Sequence, residues 1–338
     1  MLLGMVTHER EITTPVSLCT PEGTLNPEAV GWSRTPLHDC STTGWGRTKR
    51  WEYWLVTTPT HLVAITVADI DYLGLTSVYL LEYEGREVSR TALRPFAHGV
   101  RLPHSLGAGA AAALGPIRAR IHDTADGTRL RFSCATDHGP LHADLTVALP
   151  QGHETMSVVI PWSQRRFQYT SKDTARPAHG TVRLGRELLD FTDAWGVLDH
   201  GRGRWPYDIL WNWGAASGHT DAHTVGLQFG GKWTQGTGLT ENALCVDGRL
   251  TKIGEELEWT YDLAHPLAPW RLRTPSSDLV DLVFTPFHER ADRTDVGVII
   301  NDTTQCFGHY NGTVRTDDGS TITVENLLGF AEHVHMRW

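Results

Sequence analysis

The sequence predicts an all-β protein built as two antiparallel barrels. Thirty-three glycines and seventeen prolines punctuate the 338 residues at short intervals. Between them lie short segments with the period-two alternation of strands. Long amphipathic helical stretches are absent, as are βαβ periodicity, GxGxxG and P-loop patterns. Closely spaced strands must close or sandwich to hide their edges. Two barrels of roughly 150 residues each fit the length.

In chain order, Arg50–Thr57, His61–Ala68, Ser77–Tyr83, Leu130–Cys134 and Ala143–Ala148 read as strands. Leu106–Leu114 is rich in Ala and Gly and precedes Pro116, so a short helix or surface loop is expected there. The polar, Pro-containing stretch Tyr169–Gly180 is the expected join. It divides the chain into barrels over 1–175 and 176–338. Thr224–Gly230 puts Val225, Leu227 and Phe229 on one face, and Trp211 and Trp213 share a face at a spacing of two. Asp247–Gly248 and Asp318–Gly319 are hairpin dipeptides. His288–Asp295 reads as a solvated loop and Gly329–Trp338 as a terminal strand. GTVR occurs at Gly180–Arg183 and again at Gly312–Arg315, with Asp199–His200 and Glu332–His333 at similar distances beyond. That echo fits either two similar hairpins or a remnant of barrel duplication.

Composition narrows the function. With 40% apolar and 20% charged residues the chain is globular, and its formal charge of −9 with scattered basic residues disfavours nucleic acid as a partner. No apolar run is long enough for a transmembrane helix. The start, MLLGMVTHEREITTPVS, lacks a basic n-region and an adequate apolar core, so no signal peptide is expected. Five spaced cysteines without CxxC fit free thiols in a reducing, cytoplasmic setting. The oligomeric state is not legible.

Chemistry concentrates in Ala194–Gly218, AWGVLDHGRGRWPYDILWNWGAASG. Trp195, Trp205, Trp211 and Trp213 surround Asp199, His200, Arg202 and Arg204, which suits a shaped pocket better than an ordinary core. Strand alternation sends Asp199 and His200 to opposite faces, unless GRGR bends the chain and returns both to one pocket. Arg202 and Arg204 fit either ion pairs with Asp199, Glu332 or Asp208, or a grip on a ligand's carboxylate or carbonyl. On the terminal strand, Glu332 shares a face with Phe330, Val334, Met336 and Trp338. Desolvation there would raise its pKa and suit a general acid, while a structural carboxylate is the alternative. His219, Asp221 and His223 share a face when extended, but a hairpin loop is the simpler reading and no metal is expected. Gly44–Trp54, with Trp45, Trp51, Tyr53 and Trp54, fits either a second cavity or aromatic packing.

The runs YTSKD (Tyr169–Asp173), LDHGRGRWPY with WNWGAASG (Leu198–Gly218), TENA (Thr240–Ala243), QCFGHYNG (Gln305–Gly312) and GFAEHVHMRW resemble an uncharacterised bacterial family, domain of unknown function 2804. The likeness covers nearly the whole chain from Gly31 and brings no assigned reaction. More distantly, WxxxDH at Trp195–His200 and Gly–x–x–Glu at Gly329–Glu332 look like the two-barrel, lipocalin-like carotenoid hydratase and tocopherol-cyclase-type proteins. That second resemblance implies two lipocalin-like, calycin-type barrels with few short helices and a cavity for an apolar ligand, with no metal or nucleotide cofactor. The GRGRWP after the Asp–His pair departs from those enzymes.

The leading expectation is an acid–base enzyme, a hydratase, cyclase or isomerase, acting on an apolar metabolite such as an isoprenoid or polyketide. Asp199 or Glu332 would give the proton and His200 would tune or relay it. Arg202, Arg204 and Tyr207 would join the four tryptophans around the small molecule. The alternatives are a lipid carrier, whose carboxylates arginines would neutralise, and a carbohydrate enzyme, which needs Asp199 and Glu332 in one cleft.

Overall fold

The computed structural model describes residues 7–220, 223–295 and 299–338. Seven strands position the site: β1 (Lys49–Thr57), β2 (Arg166–Leu184), β3 (Ala194–Arg204), β4 (Asp208–Thr220), β5 (Val280–Asp295), β6 (Ile300–Arg315) and β7 (Thr321–Arg337). The first large sheet runs Glu87–Pro95, Leu73–Glu82, His61–Asp69, β1, β3, β2, Gly139–Ala148, Gly127–Thr136, Ile117–Thr124, Ala110–Leu114, Val100–Arg101. The second runs Arg249–Ile253, Asn242–Val246, His223–Gly231, β4, β7, β6, β5, Trp270–Arg273, Glu258–Thr260. Within both, the strand pairings are antiparallel.

Each sheet curls around its own core. In the first, Val63, Val78 and Val88 from one end meet Ala112, Ile117 and Leu130 from the other. In the second, Leu227 and Leu244 meet Trp270, Leu282 and Val324. Curling is the geometric answer to right-handed strand twist, and it lets one continuous sheet cover its own apolar face. This is the two-barrel, lipocalin-like architecture. Among the described residues the one helical segment is a 3-10 turn at Pro27–Ala29.

Three local expectations are overturned. Ala110–Leu114 is a strand, paired with Ile117–Thr124. Ala110, Ala112 and Leu114 are buried in the barrel core, so packing overrides the alanines' helical preference. Tyr169–Gly180 is no linker: it lies inside β2 and is mostly buried. The division expected at 175/176 therefore falls within one strand, and the change of sheet comes at Trp205–Tyr207, between β3 and β4. His288–Asp295 is the end of β5, paired with β6 rather than looped.

The two GTVR segments occupy matching places. Gly180 lies on β2, which pairs with the strand carrying Asp199. Gly312 lies on β6, which pairs with the strand carrying Glu332. Their φ angles are +142° and +138°, a region that side-chain-bearing residues rarely adopt. A Cβ at Gly180 would sit 2.3 Å from the Asp144 carbonyl oxygen, and one at Gly312 would sit 2.2 Å from that of Asp281.

Gly180→Ala and Gly312→Ala are each expected to lower stability by about 2 kcal/mol or more, or to prevent folding, because strain and backbone collision combine. Gly152→Ala, at φ +79° with nothing within 4 Å, is the control for strain alone. Denaturant titration of the three variants gives the comparison.

Candidate active site

β1 and β3 are buried almost throughout, on both faces. One face looks into the first barrel and the other toward the second sheet. The gap between the sheets holds a cavity of about 300 Å³. Its walls are aromatic: Trp51, Trp205, Trp211, Trp213, Trp233 and Trp338. Trp205 forms the hub, stacked on Trp233 with ring centroids 5.2 Å apart and edge-on to Trp211 at 5.7 Å.

A single ammonium group organises the polar wall. Lys172 Nζ lies 3.0 Å from Asp199 Oδ1 and 3.5 Å from Glu241 Oε2. It also stands 3.8 Å from the Trp213 ring centroid, a close cation–π contact. Burial alone would push this ammonium down, but attraction from Asp199 and then Glu241 more than offsets it and holds the pKa above the usual lysine value. Asp199 accepts further hydrogen bonds from Trp51 Nε1 at 2.9 Å and Thr170 Oγ1 at 3.2 Å. Three donors thus converge on one carboxylate.

Glu332 is held differently. Trp211 Nε1 donates to its Oε1 at 3.0 Å and Gln305 Nε2 to its Oε2 at 2.9 Å. Both donors are neutral. Burial pushes its pKa up to about 7, with the Trp211 bond and the charge of Lys172 opposing. Glu241 is likewise pushed up to about 7 by burial, opposed first by Lys172. It accepts from Trp233 Nε1 at 2.6 Å. Lys172 thus lies among three carboxylates, two of which, Glu241 and Glu332, burial holds near neutrality.

Strand alternation decides the fate of the expected residues. Asp199 and Glu332 meet in this one cavity, with Trp205, Trp211 and Trp213. His200 does not join them. The strand stays regular through GRGR, and the imidazole packs on the far face, 3.6 Å from Glu52 Oε2. Burial, reinforced by Arg202, holds it near 4. Arg202 is also on the far side, donating to the carbonyls of Pro103, Trp51 and Gly201. Arg204 reaches the carbonyls of Gly23 and Thr43. Asp208 pairs with Arg337 and His335 instead. Trp195 packs edge-on to His219, outside the cavity. Tyr207 is 42% exposed and sits beneath the Arg47 guanidinium. Of the Gly44–Trp54 aromatics, Trp51 and Tyr53 line the cavity, whereas Trp54 is buried in the first barrel's core. Asp221 lies outside the described residues. No cluster able to hold a metal occurs among the described residues.

Sequence reasoning missed Lys172, Glu241 and Gln168. Gln168 is fully buried and lines the cavity. Its Oε1 accepts from Trp205 Nε1 at 2.6 Å, while its Nε2 has no hydrogen-bond partner among the described residues. A signal existed in β2: Gln168, Thr170 and Lys172 alternate onto one face of a strand whose neighbour carries Asp199.

The family model for a domain of unknown function, DUF2804, matches residues 9–338. The chain belongs to that family. Among solved structures it is similar to a candidate AttH protein from Nitrosomonas europaea, at 13% identity over 95% of this chain and 98% of that one, with a TM-score of 0.50. It is also similar to kievitone hydratase from Nectria haematococca, at 12% identity, 87% and 89% coverage and a TM-score of 0.49. CghA with Sch210972 follows at 10% identity, 86% and 88% coverage and a TM-score of 0.43. The first of these shows a shared fold. No curated protein matches the sequence. No helix of the described residues is long and apolar enough to cross a membrane.

The raised carboxyls fix a sign for pH dependence. A carboxyl lifted from 4.5 to about 7 stabilises the fold when protonated, and that contribution disappears as pH rises through 7. Stability should therefore fall between about pH 4.5 and 7, by on the order of 3 kcal/mol for each glutamate. Glu332→Gln, which keeps the shape without the charge, should flatten that fall in urea titrations across the range. Lys172→Met removes the cation from among three buried carboxylates and should cost about 3–5 kcal/mol at pH 8, with partial recovery at pH 5.

Proposed function

We propose that this protein is an acid–base enzyme that protonates a largely apolar metabolite, such as an isoprenoid or polyketide, in a hydration, cyclisation or isomerisation. Glu332 carries the reading. It is a carboxyl whose pKa stands at about 7, in a tryptophan-walled cavity, with neutral donors on both oxygens. Near neutrality such a group gives and regains a proton readily. Glu241 has a similar value but lies beside Lys172, so the ammonium favours its ionised form.

The rest of the wall fits the same chemistry. Protonating a double bond leaves positive charge on carbon. The π faces of Trp211 and Trp213 and the carboxylate of Asp199 would stabilise that charge. Asp199, positioned by Lys172, Trp51 and Thr170, would then accept the proton lost from the adjacent carbon or from an attacking water. The unspent Gln168 donor would orient a hydroxyl, carbonyl or water. A pure carrier would be expected to have a wholly apolar pocket with arginine-paired carboxylates. Here Asp199, Glu241, Asp292 and Glu332 line the cavity together with Arg290, Asp199 and Glu241 pair with Lys172, and no arginine forms an ion pair with Asp199, Glu241 or Glu332 among the described residues.

The test is a panel of isoprenoid and polyketide-type metabolites incubated with the purified protein and followed by mass spectrometry for isomers or water adducts. Glu332→Gln should lower turnover by about 10²–10⁴-fold, with the melting temperature kept. Conversion by wild type that survives undiminished in Glu332→Gln removes Glu332 as the acid. Ligands that bind and return unchanged make the protein a carrier.

A further inference from the structure

A second hollow opens near the end of β2 that carries Gln168. It measures about 330 Å³ and is lined by Arg47, Arg165, Arg166 and Arg204, with Trp45 beside them. The two spaces share strands. On β2, Arg166 stands two residues from Gln168, on the same face and about 7 Å along the strand. Lys49, on β1, follows Thr48 of the hollow's wall. It lies opposite Gly203, which itself lies opposite Gln168, and its Nζ stands 5.0 Å from the ring centroid of Trp338 in the cavity wall.

Among the described residues no carboxylate forms an ion pair with Arg47, Arg165, Arg166 or Arg204. Arg204 donates to backbone carbonyls, Arg166 to the carbonyl of Arg165, and Arg47 lies over the Tyr207 ring. Arg47 Nε is buried with no hydrogen-bond partner among the described residues. Glu22 lines the same hollow but forms no ion pair with any of them. Elsewhere Arg34, Arg50, Arg86, Arg129, Arg176 and Arg337 all pair with carboxylates. On a chain of net charge −9, carboxylates are not scarce. Burial, and then repulsion from Arg47 and Arg204, holds the Arg166 guanidinium below its usual value. Lys49 is held to about 8 by burial and then by Arg47. Unneutralised guanidinium groups gathered around a hollow are the arrangement that binds phosphate or carboxylate.

We infer that the ligand of the tryptophan cavity carries an anionic head, a phosphate or a carboxylate, which Arg47, Arg166 and Arg204 hold while the apolar body occupies the cavity. This rests on the reading of the cavity as a site for an apolar molecule. It adds a substrate class, amphiphilic anions, and a direction of entry, with the head at the arginine end and the reacting carbon toward Glu332.

Binding of decyl phosphate, decanoate and decanol, measured by calorimetry and tryptophan fluorescence, tests it without requiring turnover. At least one anion should bind wild type about tenfold or more tightly than decanol, an advantage of about 1.4 kcal/mol that shrinks with salt. Arg47→Gln with Arg166→Gln should remove that advantage and leave decanol binding unchanged. Equal affinity for all three probes in wild type overturns the inference, as does an advantage that survives in the double variant. The same variant is tested for co-sedimentation with phosphatidylglycerol vesicles. If it loses vesicle binding while keeping its affinity for both decyl anions, the arginines serve a membrane surface and the inference fails. If none of the probes binds, the apolar reading of the cavity fails first. Anion binding without conversion of any metabolite leaves this inference standing and counts against the enzyme alone.

Discussion

The position of Lys172 governs this molecule. A buried ammonium costs several kcal/mol of desolvation unless carboxylates compensate it. Here the compensation is excessive: Asp199 and Glu241 pair with it, and Glu332 faces the same space. Lys172 pairs with two of these carboxylates, and Arg290, which also lines the cavity, adds only the smallest of the opposing influences on Glu332. Burial, reinforced by the charge of Asp199, pushes both glutamates up to about 7. The indole N–H groups of Trp51, Trp211 and Trp233 then have a second role beyond shape. Each donates to one of the three carboxylates, so the apolar wall and the charged cluster depend on the same side chains.

The architecture was legible because the outer strands alternate cleanly. The start of β5, VDLVFTPF, has buried and exposed residues in strict succession. The central strands were harder to read for a physical reason. β2 and β3 are buried on both faces, one serving the barrel interior and the other the inter-sheet cavity. Polar residues on such strands do not mark solvent. In β2, Thr170 and Lys172 serve Asp199 in the cavity. Ser171 meanwhile pairs with Ser157, and Asp173 with His153 and Arg176, on the other side. Two polar networks interleaved in one strand resemble a linker when read by composition alone. Composition alone therefore makes Tyr169–Gly180 look like a linker and hides Lys172, although the run Tyr169–Asp173 at its start carries the family resemblance.

Glu241 was hidden for another reason. It precedes the strand Asn242–Val246 and reaches Lys172 across the join between the sheets. Nothing local distinguishes it from a turn residue, and only tertiary packing shows its burial. Glu332, by contrast, was visible as the lone charge on an apolar face of a terminal strand, and its environment is the desolvated one that pattern implied.

The two carboxylate–histidine dipeptides show what strand geometry permits. Asp199–His200 and Glu332–His333 lie on corresponding strands, each next to a strand with a glycine near φ +140°. In both, the carboxylate enters the cavity and the imidazole points away. His200 packs near Glu52, and His333 bonds Tyr261 and Lys232. Burial lowers both imidazoles to about 4, so both are neutral at physiological pH. The residue type that ordinarily exchanges protons near neutrality is thereby removed from the exchange. Of the carboxyls in the cavity wall, the two glutamates are the ones held near 7, and the proposed proton transfer therefore rests on Glu332.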